Sequence, residues 1–277
     1  MMTRRTAIAT AAAASAASAQ ANLAQATSAV ANPNDRIPAR GALASGLTLR
    51  PAEARGKADH GWLRSAHSFS FANYFDPEHM GFEALRVIND DWVAGGGGFP
   101  MHPHRDAEIF SYVLKGGLQH RDSMGNGSTV QAGGVQYMSA GSGVTHSEFN
   151  PSQDAPMQFL QVWLLPNVQG AEPRYDTMDI SSKDKDGKLS LFLSPDGRDG
   201  SMAMRADADI YAATLQGDQT IDHMMGDGTR GWIQIAEGSV TVNGAALRRG
   251  DGLAIREAGR LEFRDGEDAE LLYFEFA

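Results

Sequence analysis

The chain has 277 residues, 42% of them hydrophobic, with 31 glycines and 11 prolines, which fits a folded, loop-rich β protein of one large or two ordinary domains. A formal net charge of −10, with no basic run longer than a pair such as Arg4-Arg5, argues against a nucleic-acid surface, because phosphate binding needs clustered Lys and Arg. The absence of cysteine excludes disulfides, thiolate zinc sites, iron–sulfur clusters and cysteine nucleophiles, so any metal must be held by nitrogen and oxygen ligands.

In chain order, Thr3-Arg4-Arg5 precedes a weakly apolar, alanine-rich run, and Ala17-Ser18-Ala19 before Gln20 suits a small-residue cleavage site. Residues 1–19 thus look like a twin-arginine export signal and predict a periplasmic or exported protein. Two features depart from that pattern: Thr6-Ala7 stands where a more hydrophobic pair is usual, and Leu and Phe are scarce. Without export the chain would be cytoplasmic. The segment is too short and too polar to span a membrane.

Residues 20–46, rich in Ala, Asn, Pro and Ser, read as a flexible linker. A first domain is expected over 47–166, with strand-like runs at 85–88, 109–114, 130–132, 144–149 and 159–164. The Pro/Asp-rich passage 167–188 reads as an inter-domain connection. A second domain follows over 189–277, with runs at 189–193, 210–215, 232–235, 240–242, 252–255, 261–263 and 271–276. Many short strands, turns at close intervals and no long 3.6-period segment predict an all-β protein of barrels or sandwiches. Helix is expected only as short pieces near 51–55 and 77–81.

The two halves look like divergent copies of one module. Ser239-Val240-Thr241-Val242-Asn243-Gly244 leading to Arg249-Gly250-Asp251-Gly252 matches the strand, turn and small-residue pattern of Gly117-Leu118-Gln119-His120 leading to Ala132-Gly133-Gly134. The second copy keeps only His223 and has no paired ligands. Chemistry is therefore expected in the first half.

Two short stretches carry that chemistry: His102-Pro103-His104 and His146-Ser147-Glu148. Each places two metal-type ligands at i and i+2, and on a strand such residues point to the same face. A lone His-x-His is more often a surface feature. Two such pairs, each beside glycines and a strand, predict three imidazoles and one carboxylate around one divalent transition metal. Gly95-Gly96-Gly97-Gly98 lacks the strand–loop–helix context and Lys-Ser/Thr end of a phosphate loop, and reads as a turn feeding the metal strand. Ser/His/Asp catalysis has no nucleophile elbow to support it.

Gly95 to Glu108 resembles the first cupin motif, and Gly141-Ser142-Gly143-Val144-Thr145-His146-Ser147-Glu148 the second. His67-Ser68-Phe69-Ser70-Phe71-Ala72-Asn73-Tyr74-Phe75-Asp76, His120-Arg121-Asp122-Ser123-Met124-Gly125-Asn126 and Gln161-Val162-Trp163-Leu164-Leu165-Pro166 extend the likeness. Together these stretches resemble the pirin family of two-domain cupins, over about 47–276 and closest to bacterial members with quercetin 2,3-dioxygenase activity. The resemblance implies two tandem jelly-roll barrels, a bicupin, with metal only in the N-terminal one. It implies ligation by His102, His104, His146 and Glu148. Glu108, a ligand in many other cupins, is expected to hydrogen-bond a ligand imidazole instead, since Glu148 already supplies a carboxylate.

Four protein ligands leave one or two open positions on a five- or six-coordinate ion. That favours Fe(II), which the resemblance also implies; Mn, Co, Ni or Cu fit the same donors. Catalytic zinc typically keeps three protein ligands and a water, so a zinc hydrolase fits less well. Three neutral imidazoles and one carboxylate on a divalent ion leave one positive charge, which a mono-anionic flavonolate would neutralise. The expected reaction is opening of a flavonol heterocycle by dioxygen with loss of carbon monoxide, Glu148 accepting the proton of the 3-hydroxyl.

Phe69, Phe71, Phe75, Phe99, Met101 and Met138 are either pocket lining for a planar substrate or core. His60, His67 and His79 read as hydrogen-bonding or surface histidines. No nucleic acid, no membrane span and a monomer are expected. The competing reading is a non-catalytic metal-binding or redox-sensing protein acting on a partner. A sugar-type isomerase on the same scaffold is a third.

Overall fold

Buried and less buried side chains alternate in the manner of strands with one face on a core, as along Val144–Phe149. The computed structural model describes residues 43–180 and 185–277. The expected export signal at 1–19 and the expected linker up to residue 42 lie outside the described residues. Residues 43–46 lead irregularly into the first strand.

The first half, in chain order, contains β1 (Leu47–Arg50), β2 (Gly56–Asp59), β3 (Leu63–His67), β4 (Leu85–Val93), β5 (Gly98–His104) and β6 (Glu108–Lys115). It continues with β7 (Gly117–Asp122), β8 (Gly127–Gln131), β9 (Gly134–Ser139), β10 (Val144–Phe149), β11 (Met157–Leu164) and β12 (Arg174–Asp179). The second half has β13 (Ser190–Ser194), β14 (Met202–Ala203), β15 (Ala208–Gly217) and β16 (Ile221–Met224). It ends with β17 (Arg230–Val242), β18 (Ala245–Arg248), β19 (Gly252–Ile255) and β20 (Arg260–Phe276). Helix among the described residues is limited to 3-10 turns at Ala52–Ala54 and Arg198–Gly200; the expected piece near 77–81 is a turn. None is long and apolar enough to cross a membrane. The all-β, bicupin expectation holds.

In the first half a seven-stranded sheet, in order β12-β9-β6-β11-β4-β3-β2, faces a four-stranded sheet ordered β5-β10-β7-β8. Leu63, Val93, Val113, Leu118, Val130, Met157 and Phe159 fill one layer between them. Ile109, Met138, Ala140 and Val144 form another. Ser111, Gln136, Gln161 and Glu148 are buried too, and form a polar layer instead. The interior of the second half is apolar, built on residues such as Ile233, Ile235, Leu253, Phe263 and Leu271. Among the described residues of this half no group of three or more His, Asp or Glu converges.

Three features depart from the sequence reading. β1, placed at the start of the first domain, pairs with β19 of the second. The stretch read as a connection contains β12, which pairs with β9 along its whole length. The runs at 232–235 and 240–242 are one bent strand. It bends at Gly238 (φ +64), where a Cβ would sit 2.1 Å from the Glu267 carbonyl, so only glycine permits the close approach to β20.

A single core joins the halves. Phe69 packs on Trp232, Phe110 on both Phe192 and Phe274, and Phe82 on Phe276. Each such ring contributes roughly 1.5–3 kcal/mol on burial. Ser68 Oγ donates to Gln234 Oε1 at 3.1 Å across the same boundary.

Candidate metal centre

His102 and His104 stand on β5, an edge strand whose one partner is β10. The two strands meet closely because residue 98 is glycine: a Cβ there would lie 2.4 Å from the Glu148 carbonyl oxygen. Their antiparallel register sets His146 opposite His102 and Val144 opposite His104. The i, i+2 rule then puts the three rings on one side. Ring centroids are 4.4 Å apart for His102–His146, 4.8 Å for His102–His104 and 4.9 Å for His104–His146. One nitrogen from each lies within 4.8 Å of the others, and among the described residues no other group of three or more His, Asp or Glu converges in this way.

The nitrogens are presented as ligands. His102 Nδ1 sits 2.8 Å from the Pro100 carbonyl, and only a protonated ring nitrogen can donate to it, so in the neutral ring the lone pair is on Nε2. His146 is buried, and its Nε2 has no hydrogen-bond partner. A buried polar atom without a partner is costly, and a metal ion would satisfy it. Burial, with His102 adding, lowers His104 to about 4. Burial, with His102, His104 and His120 behind it, lowers His146 to about 2. Both rings are therefore neutral near pH 7, as metal ligation requires. This donor set fits a divalent transition metal.

Glu148 is not part of the imidazole group. Its Oε1 accepts from Ser111 Oγ at 3.1 Å and from Gln136 Nε2, and its Oε2 from Gln161 Nε2 at 3.0 Å. Burial raises this carboxyl to about 7 against the pull of those donors. The structure thus gathers three of the four expected ligands and seats the fourth among donors from β6, β9 and β11.

Glu108 does not hydrogen-bond an imidazole. Its carboxylate accepts from Tyr137, from Ser139 Oγ at 2.6 Å and from the Arg205 backbone N–H at 3.1 Å. β6 pairs with β9 on the sheet opposite β5, so this residue ties the first half to the second.

Two residues that the sequence reading left out stand behind His146. His120 Nδ1 is 3.4 Å from His146 Nδ1, and His120 Nε2 is 3.1 Å from Asp122 Oδ2. Burial lowers His120, against the pull of Asp122. For Asp122 burial works upward, but hydrogen bonds from Asn126, His120 and Met124 hold it below its ordinary value. His-x-Asp on β7 has the same i, i+2 spacing as the other pairs and was legible by the same rule.

Of the expected pocket residues, Phe71 meets the edge of Trp163 at 5.6 Å, and Trp163 meets His104 at 4.8 Å. Phe99 lies 6.5 Å from His102. Phe69 and Met138 are core, while Phe75 and Met101 are exposed. His67 bonds Asn89 at 2.7 Å, His79 bonds Asp76 at 2.8 Å and His60 is exposed. An open hollow beside His104 is lined by Pro103, Arg105, Ser123, Gly143, Val144 and Thr145.

Comparison with known proteins adds family evidence. A Pirin model matches residues 48–164, and a model described as the quercetinase C-terminal cupin domain matches 191–276. The chain is 47% identical to a quercetin 2,3-dioxygenase of Escherichia coli K12, covering 83% of this chain and 98% of that one. It is 39% identical to a pirin-like protein of Caulobacter vibrioides, over 83% and 100% of the two chains. The crystal structure of the Escherichia coli pirin YhhW in complex with nickel(II) is similar at a TM-score of 0.79 and 45% identity, over 83% of this chain and 98% of that one.

Proposed function

The chain belongs to the pirin family, and on that premise we propose that it is a metal-dependent dioxygenase of quercetin 2,3-dioxygenase type, opening the heterocycle of flavonols. The observation that carries the reading is the convergence of three imidazoles with His146 Nε2 buried and unpartnered. His102, His104 and His146 would hold a divalent ion, Fe(II) in this proposal, with Glu148 as the fourth ligand. The ion, when bound, supplies Lewis acidity and a path for electrons between substrate and dioxygen.

The other roles fall to side chains of this chain. Glu148, raised to about 7 by burial, would take the proton of the flavonol 3-hydroxyl near neutral pH. Trp163 and Phe71, edge to face beside His104, would flank the planar ring. His102 and His104 are only half-buried, so that side stays open to an incoming molecule. Residues 1–19 would direct export, and the protein would act as a monomer; cell fractionation and light scattering read these two points.

The test is to incubate iron-loaded protein with quercetin in air. Loss of flavonol absorbance with oxygen uptake and carbon monoxide release is the expected result. If no divalent metal supports any loss, the chain is a metal-binding protein without this activity. Turnover without oxygen uptake would point to isomerisation instead.

A further inference from the structure

We propose that Asp122 and His120 form a hydrogen-bond relay that sets the tautomer of His146, holding its proton on Nδ1 and presenting a bare Nε2 to the metal centre. The inference rests on reading His146 as a ligand. It assigns Asp122 and His120 as positioning residues.

The direction of the relay follows from counting donors. Both side chains are fully buried, so no solvent competes for their hydrogen bonds. Asp122 Oδ1 accepts from the backbone N–H groups of Met124 at 2.9 Å and Asn126 at 3.0 Å, and Oδ2 from Asn126 Nδ2 at 2.8 Å. Every group around the carboxylate donates, so His120 Nε2, at 3.1 Å, must donate as well. A neutral imidazole with its proton on Nε2 has a lone pair on Nδ1. That atom faces His146 Nδ1 at 3.4 Å, so His146 must be the donor there. The one remaining nitrogen of His146 is Nε2, which no protein atom contacts by hydrogen bond.

Two features lock the relay in place. In the β7–β10 register Asp122 stands opposite His146 and His120 opposite Glu148. The His120 ring is stacked on Tyr175, with centroids 4.1 Å apart and planes within 8°, which fixes the plane in which its two nitrogens lie. Without the relay, His146 would populate both neutral tautomers, and the Nε2–H form cannot bind a metal through Nε2. Groups that orient a metal-binding histidine in this way typically change affinity by about 10–100-fold when removed.

The experiment uses the full chain with histidine-selective 15N labelling. Two-bond 1H–15N correlation spectra of the metal-free protein read each ring's tautomer, and competition with a chelator reads nickel(II) affinity. The wild type should show His146 as Nδ1–H. In D122N the side-chain oxygen can still accept from the backbone N–H groups of Met124 and Asn126, which places the amide nitrogen where Oδ2 stood; there it gives up the bond from Asn126 Nδ2 and donates to His120 Nε2. That reverses both hydrogen bonds, so His146 should convert to Nε2–H and nickel(II) affinity should fall by about 10–100-fold. His120→Phe keeps the stack on Tyr175 but removes the acceptor, and should give mixed His146 tautomers with a similar loss. A wild-type His146 in the Nε2–H form would overturn the proposal. So would a folded D122N with the wild-type tautomer and affinity within twofold. If the wild type binds no nickel(II), the metal-centre reading fails, while the metal-free spectra still judge the relay on their own.

Discussion

His102 and His146 face each other across the β5–β10 pair as direct register partners, their ring centroids 4.4 Å apart. Because this pairing assembles the site, loss of either ring should empty it. Metal analysis of H102A and H146A should find no bound divalent ion where the wild type holds one. The metal-free stabilities should differ. His102 is half-buried at an edge, so its removal should stay within about 0.5 kcal/mol. His146 is 1% exposed and partners His120, so H146A should cost roughly 1–3 kcal/mol in urea unfolding.

Whether Glu148 ligates is readable from pH. Its carboxyl is raised to about 7 by burial, so below that value a proton must leave before it can bind a metal. His104 and His146, lowered to about 4 and about 2, stay neutral through the same range and add no slope. Nickel(II) affinity of the wild type should therefore fall about tenfold per pH unit between pH 7 and pH 5. E148Q should bind more weakly at pH 8 and show a shallower profile below it. Equal slopes in the two proteins would remove Glu148 from the ligand set.

Asp91 offers a test of the polar interior. It is buried, its Oδ1 has no partner, and burial, with Asp90 and Glu148 adding and Ser65 opposing, raises it to about 7. A carboxyl with a raised folded value binds its proton more tightly when folded. Its contribution is complete below the unfolded value near 4 and is lost as pH rises through about 7. Wild-type stability should carry a downward slope of up to about 1.4 kcal/mol per pH unit from this group between those limits. D91N cannot ionise, so its advantage over the wild type should grow from pH 5 to pH 8. A constant difference across urea titrations at those pH values would contradict this.

Gly98 tests the strand contact that assembles the site. G98A places a methyl 2.4 Å from the Glu148 carbonyl and 2.4 Å from Phe149 Cδ1. β5 must shift from β10, at a cost of roughly 1–3 kcal/mol. Metal affinity should drop with the melting temperature, although no ligand has changed. A variant with native affinity would show that β5 is not held by this contact.

Much of the site was legible because strand periodicity is local. Alternation alone put His102 with His104 and His146 with Glu148, and the strand expected at 144–149 is β10 without a shift of either end. The same rule covers His120 and Asp122 on β7, but spacing alone does not say that this pair meets His146. The bends in β17 and β20 were less visible. The breaks between 232–235 and 240–242, and between 261–263 and 271–276, are bulges inside continuous strands, which hydrophobic runs cannot tell from turns.

The sequence by itself determined an all-β chain with two i, i+2 pairs of metal-type residues in its first half, since residue types and period-two spacing are properties of neighbours. Only the tertiary structure decided what each carboxylate does. Glu148 meets Ser111, Gln136 and Gln161 from three different strands, and Glu108 turns from the imidazoles to Tyr137, Ser139 and Arg205. Those partners are separated from their carboxylates by 12 to 97 positions. Strand register and sheet packing bring them together, and no local pattern encodes either.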